Sequence, residues 1–151
     1  MGDFFSNFGA LISDFGVLSA FWVTIRLTFF SGVFSLILGV VLAILCISPV
    51  PFYRVVGSSY ISLIRNTPLT LIMVFCSLVL WSSLGVEFSN DLRSNSFWLA
   101  VLGLSAYTAC FVAEGIRSGF NTVPRGQAEA ARAIGLTFTQ TLVTIILPQA
   151  L

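Results

Sequence analysis

Four long stretches of this sequence contain no charged residue, and this feature most limits the folds open to it. A helix of about 20 predominantly apolar residues is long enough to cross the hydrocarbon core of a bilayer. The first stretch ends at Pro49 and Pro51, which do not suit a helix interior. The pattern therefore predicts an all-α membrane protein. The predicted spans are residues 27–48, 67–86 and 96–114.

The composition supports a membrane protein and argues against an enzyme. Charged residues make up 9% of the chain, and the mean hydropathy is +1.00, whereas a soluble domain is about 25% charged. The sequence has no lysine and no histidine. This excludes a Walker A loop, a histidine-based triad and a lysine Schiff base. The six acids are scattered, so the sequence predicts neither catalytic residues nor a metal site.

The two ends of the sequence differ from the predicted spans. Large apolar residues recur at helical spacing in residues 1–18, but Asp14 interrupts them. This segment predicts an amphipathic helix that lies in the membrane interface. At the other end, residues 133–151 contain no charge and predict the start of a further helix, which Pro148 interrupts.

Arginines are unequally distributed between the two sides of the predicted spans. One side has five arginines and two acids, and the other has two arginines and four acids. Because cytoplasmic connections carry an excess of basic residues, the first side is predicted to be cytoplasmic. The N-terminus is then outside, and residues 117–148 face the cytoplasm. The arginines on the cytoplasmic side are Arg54, Arg65, Arg117, Arg125 and Arg132.

Two of the predicted spans carry a stripe of small residues at helical spacing. Such a stripe allows another helix to approach closely. The sequence leaves open whether that helix belongs to the same chain or to a second subunit. The stripes are Ser31, Ser35, Gly39 and Ala43 on the first span, and Gly103, Ala106, Ala109 and Ala113 on the third.

The stretch GQAEAARAIGLT, residues 126–137, is polar and rich in alanine within an otherwise apolar sequence. It begins a longer pattern: EAA, three residues, Gly, nine residues, Ile, one residue, then Leu-Pro. This pattern resembles the cytoplasmic signature loop of bacterial ABC importer permeases. The positions that carry the resemblance are Glu129, Ala130, Ala131, Gly135, Ile145, Leu147 and Pro148.

The resemblance extends over most of the chain. The segments TIRLTFFSG, IRNTPLTL and VAEGIRSGFNTVPRGQAEAARAIGLT are similar to the polar amino acid subgroup of these permeases. RNTPLTL and NTVPRGQAEAAR look most like glutamate-uptake permeases of actinobacteria. The resemblance implies the type I ABC importer transmembrane fold for residues 19–151, with three spans, a cytoplasmic coupling helix and the start of a further helix.

The family resemblance also implies a role for the signature loop. In the family this loop forms a short coupling helix that docks into a groove on a separate ATP-hydrolysing subunit. Here Gly126 and Gly135 bound a helix of about eight residues, and Gly135 suits a left-handed helix end. Glu129 near the start is expected to favour the helix dipole. The implied coupling residues are Gly126, Glu129, Ala130, Ala131, Gly135, Leu147 and Pro148.

Polar groups in the third span are the candidates for a transport path. Charge within a membrane is costly and often functional, which makes Glu114 a candidate. Its spacing from Arg117 would allow the two to pair on one helix face. Tyr107 and Thr108 either line a path for a zwitterionic amino acid or form hydrogen bonds to neighbouring helices. Arg65 is interpreted as an arginine that sets the topology at a membrane boundary.

The resemblance thus implies a permease subunit of an ATP-driven importer of glutamate or another polar amino acid, in a bacterial cell membrane. ATP would be bound by a partner ATPase, so no cofactor is expected in this chain. A second permease subunit, identical or different, and an extracytoplasmic solute-binding protein are the other implied partners. The alternative is an ATP-independent secondary transporter or channel subunit. Family members usually have five spans, so the chain is expected to be an incomplete permease.

Overall fold

Every regular element in the described part of the chain, residues 16–150, is a helix in this computed structural model, which confirms the all-α class. Residues 1–15 of the predicted amphipathic helix lie outside the described residues. The first part consists of α1 (Val17–Ile47), α2 (Pro51–Arg65), α3 (Leu69–Val74), which continues as a π-helix (Phe75–Ser83), and α4 (Leu92–Thr122). The second consists of α5 (Arg125–Ala133), α6 (Phe138–Thr141), a π-helical turn (Leu142–Ile146) and α7 (Leu147–Ala150).

Helices α1 and α4 are each long and apolar enough to cross a membrane. Each has 31 residues, or about 46 Å at 1.5 Å per residue, against about 30 Å for a hydrocarbon core. The first helix begins at Val17, well before residue 27, because the charge of Arg26 does not end it. The Arg26 guanidinium lies 5.2 Å from the centre of the Phe97 ring on α4. Helix ends are not membrane boundaries, so the span limits stay predictions.

Helix α2 was not predicted from the sequence. It begins at a proline in the first turn, where the missing N–H costs nothing, and ends at Arg65. After a break of three residues the chain continues into α3, bent by 99° from α2. Pro68 at the break cannot continue the α2 hydrogen-bond ladder. The pair is therefore one broken span or a re-entrant segment, and helical residues 69–83 lie within the span predicted over 67–86.

The small-residue stripe of α1 packs against α4 within the chain. Ser31 and Ser35 are each 4% exposed and Ala43 is 1% exposed. A methyl group on Gly39 would lie 2.6 Å from Cβ of Val112, so only glycine allows this approach. The serine hydroxyls donate to carbonyls of their own helix, Ser31 to Leu27 at 2.6 Å. For this stripe, the structure selects packing within the chain over contact with a second subunit.

The stripe of α4 lies in the same interior. Ala109 is fully buried and Ala113 is 1% exposed, both in a cluster with Leu42 and Ile61. A methyl on Gly103 would lie 3.1 Å from Sδ of Met73, so this glycine lets α3 pack closely on α4. Helix α4 is therefore the central element against which α1, α2 and α3 are placed.

Candidate functional site

Helix α5 carries the EAA sequence and begins directly after Pro124, which has an extended backbone conformation. Four of its nine residues are alanine, the best helix former. Since the helix begins at Arg125, Glu129 is its fifth residue and no acid lies in its first turn. The expected interaction of Glu129 with the helix dipole is wrong, because that effect fades beyond the first turn.

Helix α5 ends in a Schellman turn. Gly135 has φ of 84°, the left-handed conformation that the sequence predicts for it. The Leu136 N–H donates to the Ala131 carbonyl at 3.1 Å, and the Gly135 N–H donates to the Arg132 carbonyl at 3.0 Å. These two bonds satisfy carbonyls that a helix end otherwise leaves unpaired. Any side chain at residue 135 would strain the turn.

A capping box follows the Schellman turn at once. The Thr137 N–H donates to Oε1 of Gln140 at 2.9 Å, and the Gln140 N–H donates back to Oγ1 of Thr137 at 3.4 Å. The box starts α6 one residue after the α5 turn ends. The sequence reasoning missed it, although the Thr-x-x-Gln spacing is a known signature of a helix start.

One face of α5 is exposed. Ala131 is 2% exposed, and α5 contacts α6 and the following π-helical turn. The opposite face is accessible, and its largest apolar side chain, Ile134, is 77% exposed. The exposed face recurs at helical spacing and consists of Gly126, Glu129, Ala130, Ala133 and Ile134.

The last two signature residues lie away from α5. Leu147 and Pro148 belong to α7, which packs against α4. Leu147 lines an apolar groove together with residues of α1 and α4, whereas Pro148 is exposed. The signature sequence therefore has two parts. The first is an exposed helix, Arg125–Ala133, and the second is a segment, Leu147–Ala150, that packs back against α4.

A second polar site joins α2 to α4. Arg65, the last residue of α2, forms an ion pair with Glu114 through Nη1 and Oε2. The predicted pair of Glu114 with Arg117 is wrong, because in the described residues Glu114 pairs with Arg65. The Arg65 guanidinium also lies 5.7 Å from the centre of the Phe111 ring. Arg65 therefore has structural partners beyond its place in the topology.

The two uncharged path candidates differ in their surroundings. Tyr107 contacts the Phe111 ring edge-on, with ring centres 5.2 Å apart, and so continues the cluster of Arg65 and Glu114. The Thr108 hydroxyl donates to the Leu104 carbonyl of its own helix at 2.7 Å. Thr108 thus bonds within its own helix and not to a neighbouring one, whereas Tyr107 and Glu114 lie in one cluster. No group of three or more metal-ligating residues occurs within residues 16–150.

Comparison with known proteins places the chain in a family. Residues 35–151 match the family described as the binding-protein-dependent transport system inner membrane component. Over 147 residues the chain is 50% identical to the glutamate transport system permease protein of Corynebacterium efficiens, covering 93% of this chain and 64% of that protein. It is 35% identical to the arginine transport system permease protein of Corynebacterium glutamicum, covering 96% of this chain and 48% of that one.

The fold has a counterpart among solved structures. A crystal structure of an amino acid ABC transporter with histidines superposes with a TM-score of 0.69 at 28% identity. The match covers 90% of this chain and 64% of the other. The chain therefore spans less than two thirds of the length of this structure and of the glutamate permease relative. With the family match over most of its length, the chain belongs to the binding-protein-dependent transport system inner membrane components.

Proposed function

We propose that this chain is the membrane-spanning permease part of an ATP-driven importer of amino acids, and that α5 is its contact with a separate ATPase. The exposed face of α5 carries the proposal. It consists of small residues and one prominent isoleucine, Ile134, on a helix fixed at its end by a Schellman turn. A smooth, rigid, partly apolar helix of this kind suits docking into a groove of a partner protein.

ATP is bound and hydrolysed by the partner in this proposal. The chain has no lysine for a phosphate-binding loop and no histidine for acid-base catalysis. It therefore needs no cofactor of its own. The proposed contact residues on or beside α5 are Gly126, Glu129, Ala130 and Gly135. The other signature residues, Ala131 on the buried face of α5 and Leu147 and Pro148 on α7, are proposed to hold the helix in place.

The remaining partners follow from the family. A second permease subunit completes the translocation path, and an extracytoplasmic binding protein delivers the substrate. The arginines that precede or belong to α5, Arg117, Arg125 and Arg132, support a cytoplasmic α5 and an N-terminus outside, in a bacterial cell membrane. The relative from Corynebacterium efficiens is named as a glutamate permease, which supports glutamate as the cargo.

Two glycines give a matched test of the coupling role. Gly135 and Gly85 both have positive φ, 84° and 65°, and neither has a neighbour within 4 Å of an added methyl group. Alanine strains both turns alike, by about 1 kcal/mol, but only Gly135 borders α5. In the reconstituted full-length transporter, Gly135→Ala is expected to reduce substrate-stimulated ATPase activity and uptake together. Gly85→Ala is expected to leave both near the wild-type level.

A charge change on the exposed face complements this test. Glu129→Lys reverses the charge on the proposed contact, whereas Glu87→Lys makes the same change at an exposed site between the π-helix and α4. We expect Glu129→Lys alone to weaken co-purification of the ATPase. Normal ATPase binding and stimulation in both Glu129→Lys and Gly135→Ala would show that α5 is not the coupling contact.

A further inference from the structure

We propose that Arg65 and Glu114 form a binding site for the charged backbone groups of an amino acid. Arg65 binds the α-carboxylate, Glu114 binds the α-ammonium group, and their mutual ion pair is the state without ligand. This inference rests on the proposed transport of amino acids. It assigns recognition of the α-amino acid zwitterion to particular side-chain atoms.

The first support is that the ion pair leaves most of both groups' bonding capacity unused. A guanidinium has five N–H donors and a carboxylate has two acceptor oxygens. In the described residues, the recorded hydrogen bond joins only Nη1 of Arg65 and Oε2 of Glu114. The side chains are 43% and 36% exposed, so the remaining donors and the second oxygen are accessible to a ligand.

The second support is the position of the pair on two separately held elements. Arg65 ends α2, which is tied to α4 by the Tyr60 hydroxyl, a donor to the Ala106 carbonyl at 3.1 Å. Glu114 belongs to α4 itself, one turn beyond Cys110, which is fully buried. The backbones that carry the two charges are therefore held together, and the proposal is that the two side chains separate to accept a ligand between them.

The third support is the break that follows Arg65. The chain bends by 99° between α2 and α3, and Asn66 beside Arg65 is exposed. Irregular backbone at membrane depth is tolerated where it is buried in protein or lines a polar cavity. Interrupted helices of transporters commonly lie at the substrate site for this reason. A charged pair next to such a break is thus in a suitable place for a polar ligand.

An aromatic wall completes the site. The guanidinium carbon of Arg65 lies 5.7 Å from the centre of the Phe111 ring, and Tyr107 packs edge-on against the same ring. A guanidinium beside an aromatic ring keeps donors for a carboxylate, which it can bind with two parallel hydrogen bonds.

Charge balance then sets which ligands fit. A zwitterion that replaces the ion pair gives each side chain an opposite charge, so neither is left unpaired. A ligand without the ammonium group leaves Glu114 unpaired, and one without the carboxylate leaves Arg65 unpaired. An unpaired charge in a partly desolvated site is costly, so the site selects molecules that carry both groups.

The competing interpretation is a structural clamp in which the ion pair only joins α2 to α4. Exchange of the two charges separates these roles. In the Arg65→Glu, Glu114→Arg double variant an ion pair forms again, and a clamp would be restored. For substrate binding, the exchange puts the carboxylate at residue 65 and the guanidinium at residue 114. The amino acid would then have to bind in the reverse orientation, with its side chain pointing in a different direction.

The test uses the full-length transporter with its ATPase and binding protein in proteoliposomes. Uptake of radiolabelled glutamate is measured with glutarate, which lacks the ammonium group, and 4-aminobutyrate, which lacks the α-carboxylate, as competitors. Binding of the same three compounds to the permease–ATPase complex without the binding protein is measured directly. If the wild type transports another amino acid, its own deaminated and decarboxylated analogues replace these two. Basal ATPase activity reports on assembly of every variant.

We expect each single variant to lose a different one of the two ligand preferences. The wild-type complex prefers glutamate over both analogues by about tenfold or more, the ratio that one charge-assisted hydrogen bond provides. Glu114→Gln loses the preference over glutarate only, and Arg65→Gln loses the preference over 4-aminobutyrate only. The double exchange keeps basal ATPase activity but does not recover uptake. Control variant Arg93→Gln, in an exposed position in the first turn of α4, keeps both preferences.

Two outcomes would overturn the inference. Recovery of uptake in the double exchange, or both preferences unchanged in the single variants, would identify the pair as a structural clamp. Neither outcome touches the proposed function, since the wild type would still transport. Absence of amino acid uptake by the wild-type complex would instead contradict the proposed function itself.

Discussion

At the scale of single residues, glycine decides how closely the helices approach. Gly39 on α1 meets Val112 and the Ala109 carbonyl of α4, at 2.6 and 3.0 Å from the place of a methyl group. Gly32, seven residues earlier on the same helix, has nothing within 4 Å. The same residue type is thus required by packing at one position and free of packing constraint at the other.

This contrast gives a stability prediction. Gly39→Ala is expected to destabilise the chain by about 1–3 kcal/mol, because the methyl group overpacks the α1–α4 interface. Gly32→Ala is expected to be neutral or stabilising by up to about 1 kcal/mol, because alanine is the better helix former. Thermal unfolding in detergent measures both. Equal midpoints for the two variants would contradict the close contact of α1 with α4 at Gly39.

Features that depend on neighbouring residues in the sequence could be predicted, whereas contacts between distant residues could not. The left-handed end of α5 was predictable, because only Gly135 in that stretch suits a positive φ. The Arg65–Glu114 pair was not, since 49 residues separate its partners and the helix spacing suggested Arg117 instead. Local geometry is encoded locally, whereas a contact between two elements depends on how both pack.

At the scale of elements, the helices α1 and α4 were expected from their apolar content, but α2 was not. The two arginines that bound most of α2, Arg54 and Arg65, interrupt the charge-free stretches on which the prediction relied. Arg54 in fact donates to the Ser48 carbonyl at the preceding corner, at 3.2 Å. A search for uncharged stretches does not detect a helix that has a charged residue near each end.

The start of α4 gives a pH prediction at this scale. The Asp91 carboxylate accepts a hydrogen bond from the Ser94 N–H at 2.8 Å, and this bond holds the pKa of Asp91 below its ordinary value. A lowered pKa in the folded state means that the stabilisation is present at neutral pH and is lost as the pH falls through that value. Asp91→Ala is therefore expected to lower the thermal midpoint at pH 7 and to approach the wild type in acid.

A matched variant tests this explanation. Asn caps helices about as well as Asp but does not titrate in this range. Asp91→Asn should keep a midpoint near that of the wild type at pH 7 and retain its advantage over Asp91→Ala as the pH falls. A difference between Asp91→Ala and the wild type that stays constant down to acid pH would contradict the cap.

At the scale of the whole molecule, the chain places two candidate functional sites on a largely apolar body. One is the exposed face of α5, and the other is the Arg65–Glu114 pair between α2 and α4. The composition already indicated a membrane protein, and the spaced signature indicated the family. The sequence could not show that Arg65 joins the polar groups of the third span, because that contact depends on how α2 packs against α4.

The cargo is tested on the whole transporter. Competition for uptake among glutamate, aspartate, glutamine, arginine and histidine is expected to show glutamate as the strongest competitor, in line with the relative from Corynebacterium efficiens. Competition by basic amino acids alone would contradict glutamate as cargo, and would favour the specificity of the arginine permease relative. It would leave the proposed coupling role of α5 intact.

The adjoining turns at the end of α5 have a mechanical consequence. The Schellman turn uses Leu136 as its last member, and the capping box uses Thr137 as its first, so no residue between the two helices is free of hydrogen bonding to a cap. Two adjoining caps leave fewer free backbone torsions in this connection than an uncapped loop of the same length would have. We therefore expect a displacement of α5 to be passed on to α6 rather than absorbed in the connection.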